Sequence, residues 1–242
     1  MRASYLLCLL VFSLVRASYG EWRFEIFGGK FFPGSSDLSI NRPSRGDNFT
    51  YHGIKWADRS FDSPIYYGYR IAKFFGSQRK SGFELEFIHA KIYSDPESRL
   101  KVTGILDNQP LEGVRRLGEQ IQLFDISHGL NLLLFNFTRR EAWWKKEPFD
   151  PVGSYVVFRA GLGPCICHTE SVIEGRFREQ YEFGGLGFQI SAGAVMPLKR
   201  RFYIPLEYKF TQAWLRDLEV DKGVAGMDLG GSHLILGVGF QY

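Results

Sequence analysis

The last eleven residues, Ser232-His233-Leu234-Ile235-Leu236-Gly237-Val238-Gly239-Phe240-Gln241-Tyr242, decide how the rest of the chain is read. In an extended strand Leu234, Leu236, Val238, Phe240 and Tyr242 share one side, with His233, Gly237, Gly239 and Gln241 on the other. The stretch before it repeats the pattern, since Phe202, Ile204, Leu206, Tyr208 and Phe210 face away from Glu207 and Lys209. Large apolar side chains alternating with charges describe a strand with hydrocarbon on one side and a polar interior on the other.

Working outward, eight segments of strand length carry this two-residue period: Glu21–Phe31, Pro64–Phe75, Gly82–Tyr93, His128–Arg139, Ser154–Cys167, Phe183–Met196, Phe202–Trp214 and Ser232–Tyr242. The connections 76–81 and 197–201 are short, whereas 32–63, 94–127, 168–182 and 215–231 are long. Short and long thus alternate, apart from 141–153, whose Trp143-Trp144-Lys145-Lys146 would suit an aromatic girdle at a membrane surface. The expected fold is all-β, an eight-stranded antiparallel up-and-down transmembrane β-barrel with every long loop on the side away from the chain ends. A soluble two-sheet sandwich is the rival, because alternation alone does not exclude it.

The first residues read as an export signal: Arg2, an apolar run from Tyr5 to Val15, then Ala17-Ser18-Tyr19-Gly20 ahead of Glu21. The apolar run is about half of the ~20 residues a spanning helix needs. A signal over 1–20 and a barrel over 21–242 follow. Without Arg2 and Arg16 the chain has 28 basic and 26 acidic side chains, so nothing in the charge asks for a nucleic-acid partner. Cys8 leaves with the signal, while Cys165 and Cys167 share a strand face at a spacing too tight for an easy disulfide.

Arg23, Glu25, Arg70, Glu84, Glu86, Arg159, Glu207 and Lys209 all fall on the inner face. Eight strands enclose only enough room for side chains, so these charges are expected to pair and plug the barrel rather than conduct. Glu84 or Glu86 as a proton acceptor is the sharper alternative. His52, His89, His128, His168 and His233 all fall at the mouth where the long loops lie. His89 and His128 flank the second long loop, with Lys91 and Asp125 close by, and imidazoles beside carboxylates can bind a divalent metal or carry protons. Strict alternation leaves His89 and Lys91 on the lipid side with Phe83, Leu85 and Phe87, whereas a bulge would turn them inward.

Four patches carry a resemblance: Tyr66-Tyr67-Gly68-Tyr69-Arg70, Glu84 through Tyr93, His128-Gly129-Leu130-Asn131-Leu132-Leu133 and Phe158-Arg159-Ala160-Gly161-Leu162-Gly163. They resemble the outer-membrane lipid A oxidase-like proteins of alphaproteobacteria, and the terminal strand resembles the one by which outer-membrane proteins are recognised for assembly. The resemblance implies oxygen-dependent oxidation of the proximal glucosamine of lipid A without flavin or haem. His128 stands where that family commonly has an acidic residue, and Pro164-Cys165-Ile166-Cys167 replaces a plainer strand end. The site residues expected on this basis are His89, Lys91, His128 and Asn131, with Glu84, Glu86 and Arg70 as inner support and His89 and His128 as ligands of a divalent metal ion. The expected partners are lipid A or lipopolysaccharide, outer-membrane lipids and the barrel assembly machinery, with the chain a monomer. A non-catalytic barrel whose loops bind a surface partner is the alternative.

Overall fold

The structure is a computed structural model that describes residues 20–143, 150, 152–199 and 201–242; residues 1–19 of the expected export signal and Trp144-Lys145-Lys146 of the expected girdle lie outside them. Among the described residues twelve strands run in chain order: β1 (Glu21–Pro33), β2 (Ser36–Arg42), β3 (Asp47–Ile54), β4 (Tyr67–Phe75), β5 (Ser81–Ile92), β6 (Arg99–Leu106), β7 (Gln109–Arg116), β8 (Ile121–Ala142), β9 (Tyr155–Ile173), β10 (Arg176–Lys199), β11 (Phe202–Val220) and β12 (Gly223–Gln241). Eight of them form the wall. β1 pairs antiparallel with β4 on one side and with β12 on the other, from Arg23 opposite Gln241 to Pro33 opposite Gly231. The ring β1-β4-β5-β8-β9-β10-β11-β12 is therefore closed, with both ends of the described chain at the short-turn rim, where Trp22 and Tyr242 exchange backbone hydrogen bonds of 3.0 and 2.9 Å.

Each of the eight segments read from the sequence coincides with a wall strand, but two of the long loops are not loops. β9 and β10 continue to a two-residue turn at Glu174-Gly175, and β11 and β12 to one at Asp221-Lys222. Glu174, Gly175 and Lys222 have positive φ, the backbone that tight hairpins of right-handed twist require. The other two long connections carry β2 and β3, and β6 and β7. These four strands extend the wall from β12 as a side sheet, with β6 and β7 joined through Asp107-Asn108, both at positive φ.

The wall is tall because alternation persists while its sense inverts. Low on β11, Leu206, Tyr208 and Phe210 are exposed outside while Glu207 and Lys209 are buried inside; higher up, Ala213 and Leu215 point inward and Arg216 is on the surface. On β9 the outward row runs Phe158, Leu162 and Ile166, then His168 and Glu170, as the inward row passes from Arg159 to Cys165 and Cys167. Inside, the upper barrel and the side sheet share one apolar core that includes Phe31, Leu38, Phe49, Tyr51, Leu132, Leu215 and Met227. Both cysteines sit in it as free thiols. The apolar outer rows of the lower half, with no unpaired edge in the ring, are what a hydrocarbon surrounding requires.

The lower interior is a layer of ion pairs. Arg70 donates to Glu25, Glu86 and Glu207 at 2.9 Å each, and Arg159 reaches Glu84 at 3.1 Å and Glu207 at 2.6 Å. Lys209 bonds Glu86, and Asn136 donates to Glu84 and Glu86 at 3.0 and 2.9 Å. All of these side chains are buried. Glu84 and Glu86 thus stand in a plug, with Arg70 as its hub. Replacing Arg70 by Ala leaves three carboxylates short of a partner at once, and removing one member of a buried pair typically costs about 3–5 kcal/mol. Urea unfolding of the Arg70→Ala protein in lipid or detergent, read by heat-modifiable gel migration, is expected to show a midpoint far below that of the parent.

Candidate functional site

Where the outer rows turn from apolar to polar, the wall carries its histidines. A single hydrogen-bonded rung places Tyr67 opposite His89, His89 opposite Asn131, Asn131 opposite Ile166 and Ile166 opposite Phe183. All point outward: His89 stacks on Tyr67 with ring centres 4.8 Å apart, and Tyr67 in turn contacts Tyr69 and Phe87 of the apolar belt. Alternation therefore holds through His89, and the inward-turning bulge on β5 is not what happens. The irregularity is on β8 instead. Between Ile126 and Leu130 that strand has two residues more than either neighbour, and Ser127, His128 and Gly129 bulge from the wall.

Gly129 explains why the bulge closes as it does. Its φ is +139°, and a Cβ there would lie 2.3 Å from the Asn131 side-chain amide. Asn131 uses that space to accept a 2.8 Å hydrogen bond from His89 Nδ1. His89 Nε2, its other nitrogen, is buried without a hydrogen-bond partner. Lys91 lies further along the same face but is covered. Its Nζ donates to the Asp62 carbonyl at 2.9 Å, and the exposed Arg59 lies 4.2 Å over the Tyr93 ring beside it. Lys91 is thus a buried anchor of the 55–66 segment, not an open cation.

His128 does not share a donor set with His89. Its Nδ1 lies 3.0 Å from Glu170, whose carboxylate also accepts from Ser127, and its ring meets the edge of His168 at 4.9 Å. His168 packs on Tyr181 at 4.3 Å and places Nε2 3.2 Å from Glu179. Among the described residues His128, His168 and Glu170 are the three whose ligand atoms gather within 4.8 Å. Burial alone would raise the Glu170 carboxyl, but the bonds from Ser127 and His128 and the nearby imidazoles hold it below its ordinary range. The remaining histidines have other duties. His52, in the side sheet, is bonded to Asp37 and Thr103 at 2.8 Å each, and His233, inside the barrel, to Tyr66 at 3.0 Å and Thr211 at 2.8 Å.

Sequence reasoning located His89, His128 and Asn131 but missed Tyr67, Arg59, His168, Glu170, Glu179 and Tyr181 as their companions. The signal for the last four was the alternation His168, Glu170 and Glu179, Tyr181 on either side of the Glu174-Gly175 turn, which pairs Glu170 with Glu179 and His168 with Tyr181.

No family model and no curated protein matches this sequence. Solved structures do match in the course of the chain. Neisserial surface protein A is 10% identical over 92% of this chain and 97% of its own, with a TM-score of 0.38. Ail, the attachment invasion locus protein of Yersinia pestis, solved with the heparin analogue sucrose octasulfate, is 13% identical over 92% and 99%, TM-score 0.36. The outer-membrane protease OmpT of Escherichia coli is 6% identical over 93% and 98%, TM-score 0.41. These likenesses carry no assignment of activity.

Two outcomes follow from the local geometry. Gly129→Ala must either strain the left-handed backbone or displace Asn131, so the His89 ring should lose its anchor while the barrel still folds; histidine NMR resonances of His89 should broaden and shift with the heat-modifiable band retained. Asp125, buried beside the hairpin base, accepts from Ser94 N at 2.8 Å, and burial is the main reason its carboxyl is raised to about 6 from 3.8. The protonated form is favoured in the fold, so this contribution is complete below pH 3.8 and is lost as the pH rises through about 6, by about 3 kcal/mol. The urea midpoint of the folded barrel should fall over that window in the parent and lose this dependence in Asp125→Asn.

Proposed function

We propose that the protein resides in the bacterial outer membrane and modifies lipid A at this outer-wall site, by oxygen-dependent oxidation of the proximal glucosamine. The observation that carries the reading is position. His89, Asn131, His128, His168 and Glu170 lie on the outside of a closed barrel, directly above exposed apolar rows that include Phe83, Leu85, Phe135, Leu162 and Phe183. A substrate that meets them there is one whose chains lie in the hydrocarbon and whose sugar lies at the surface. The interior, filled by ion pairs below and an apolar core above, offers no comparable route.

The chemistry asked of the residues is limited. A sugar with a free C1 hydroxyl loses the C1 hydrogen as hydride and the hydroxyl proton, giving a lactone; the two electrons and two protons reduce O2 to hydrogen peroxide, and water opens the lactone to the aldonate. His89 suits the proton acceptor, since Nδ1 is committed to Asn131 and the bare nitrogen is Nε2. Tyr67, stacked on it, offers a face for a sugar ring, and the exposed Arg59 over Tyr93, just past the end of the same strand, is the open cation for a phosphate. Such an oxidation without an organic cofactor calls for a divalent metal or a reactive substrate carbanion, and the His128, His168 and Glu170 donors are of the kinds a redox-active ion takes.

Mass spectrometry of lipid A from aerobically grown cells tests this. Cells with the parent gene should contain a species one oxygen heavier on the proximal sugar, and cells with His89→Ala should lack it while keeping a folded barrel. Identical lipid A with and without the gene would end the enzyme reading. The second reading, a non-catalytic barrel that binds a surface partner, is favoured by the side sheet: among the described residues β7 pairs with β6 alone and is mostly exposed, leaving an open edge to which another chain could add a strand. In that case a phenotype would survive His89→Ala and be lost on removal of 99–116.

A further inference from the structure

We propose that His128, His168 and Glu170 form a binding site for one divalent first-row transition-metal ion on the outer wall, with Glu179 orienting His168 and an open side at His128. The site is defined by its own atoms, whatever the substrate of the barrel proves to be.

The argument begins with His168, whose side chain is 8% exposed. His168 Nε2 lies 3.2 Å from the Glu179 carboxylate, which can only accept, so this neighbour favours the ring hydrogen on Nε2. In the neutral ring Nδ1 then carries a lone pair. That atom is buried, makes no hydrogen bond, and lies 3.5 Å from the Glu170 carboxylate. Two lone pairs facing each other in a dry position repel, and the arrangement is satisfied when a cation sits between them. His128 Nδ1 donates to the same oxygen of Glu170 at 3.0 Å and would become the third ligand by moving its hydrogen to Nε2, the exchange of proton for metal that binding to an imidazole entails. Ligands about 2.1 Å from a common ion stand about 3–3.5 Å apart, the range that these two contacts occupy.

The surroundings match what metal sites need beyond their ligands. Glu179 on the far nitrogen of His168 is the carboxylate–histidine pairing that fixes the tautomer of a ligating imidazole. Tyr181 packs on the ring at 4.3 Å and holds its plane. The β8 bulge is what brings His128 out to meet strand β9, since regular pairing would have left it two places out of register. Glu170 is one-fifth exposed and His128 more than half, so the ion would have protein on one flank and free coordination positions on the other. Two imidazoles and one carboxylate with open positions is the donor set that suits Fe(II) and its neighbours better than Mg(II) or Ca(II), which prefer oxygen alone.

The test uses the untagged full barrel in detergent, stripped with chelator and titrated anaerobically with Co(II), whose visible absorption reports nitrogen and oxygen coordination. The parent should bind close to one equivalent. Glu170→Gln and His168→Ala should abolish the absorption, and Glu179→Gln should weaken binding by about tenfold or more; His52→Ala should change nothing. Heat-modifiable migration confirms that each variant is folded. On the parent itself, Co(II) should protect His128 from diethyl pyrocarbonate while His52 stays reactive, a result that does not depend on any variant folding. Absence of Co(II) absorption in the parent, as a doubly protonated His168 would give, overturns the proposal. So does binding that survives both Glu170→Gln and His168→Ala. Unaltered lipid A would bear only on the oxidase reading, because Co(II) binding is measured without lipid.

Discussion

Every feature of this molecule depends on the pairing of β1 with β12. Until those strands meet, each presents a row of unpaired amide and carbonyl groups, and in hydrocarbon each such group costs several kcal/mol. Once they meet, from Arg23 opposite Gln241 upward, the ladder has no edge in the ring and the apolar rows can face lipid. Closure also brings Glu25 of β1, Arg70 of β4 and Glu207 of β11 within one interior layer, where Arg70 joins all three strands at 2.9 Å. The charges give the ring its inner packing, and the ring keeps the charges from both water and lipid.

The second constraint is the height of the wall. A hydrocarbon core is about 30 Å thick, which a tilted strand crosses in about 9–11 residues, whereas β8 to β12 run from 19 to 24 residues. The surplus stands in water and obeys the opposite rule, with apolar residues inside and polar residues outside. The outer face therefore has a boundary at which Phe and Leu give way to His, Glu and Asn. A group at that boundary can touch a lipid headgroup laterally, without any passage through the barrel, and the histidine-rich surface lies on it.

How much of this the sequence discloses depends on that inversion. The lower halves of the strands were legible because period and polarity agree there, as Leu206-Glu207-Tyr208-Lys209-Phe210 illustrates. The upper halves keep the period but exchange the polarity, so Cys167, Phe183, Trp214 and Ser232 looked like strand ends when they are crossing points. The tall hairpins were hidden further because Asp221-Lys222 and Glu174-Gly175 are less conspicuous turn formers than Asn-Gly. For the site, strand order makes β4, β5 and β8 neighbours and so brings His89 near the His128–Asn131 patch, but the register that sets His89 opposite Tyr67 and Asn131, rather than His128, is seen only in the structure. The association of His128 with His168 and Glu170 could not be anticipated, because it rests on a bulge that shifts β8 by two residues, and no local pattern at Ser127-His128-Gly129 announces it.

Four of the five histidines separate by how many of their nitrogens are occupied. His52 and His233 bond through both, the one to Asp37 and Thr103, the other to Tyr66 and Thr211, and each is explained by the structure it completes. His89 commits one nitrogen to Asn131, His168 holds one 3.2 Å from the Glu179 carboxylate, and each leaves the second buried and without a hydrogen bond. A buried nitrogen without a partner costs about 1–3 kcal/mol, and packing against Tyr67 or Tyr181 could have been had from an apolar ring at no such cost. Fixing one nitrogen so that the other stays bare is the arrangement a base or a ligand requires. It occurs twice, on the two strands that flank β8 in the outer wall, where the belt of phenylalanine and leucine ends.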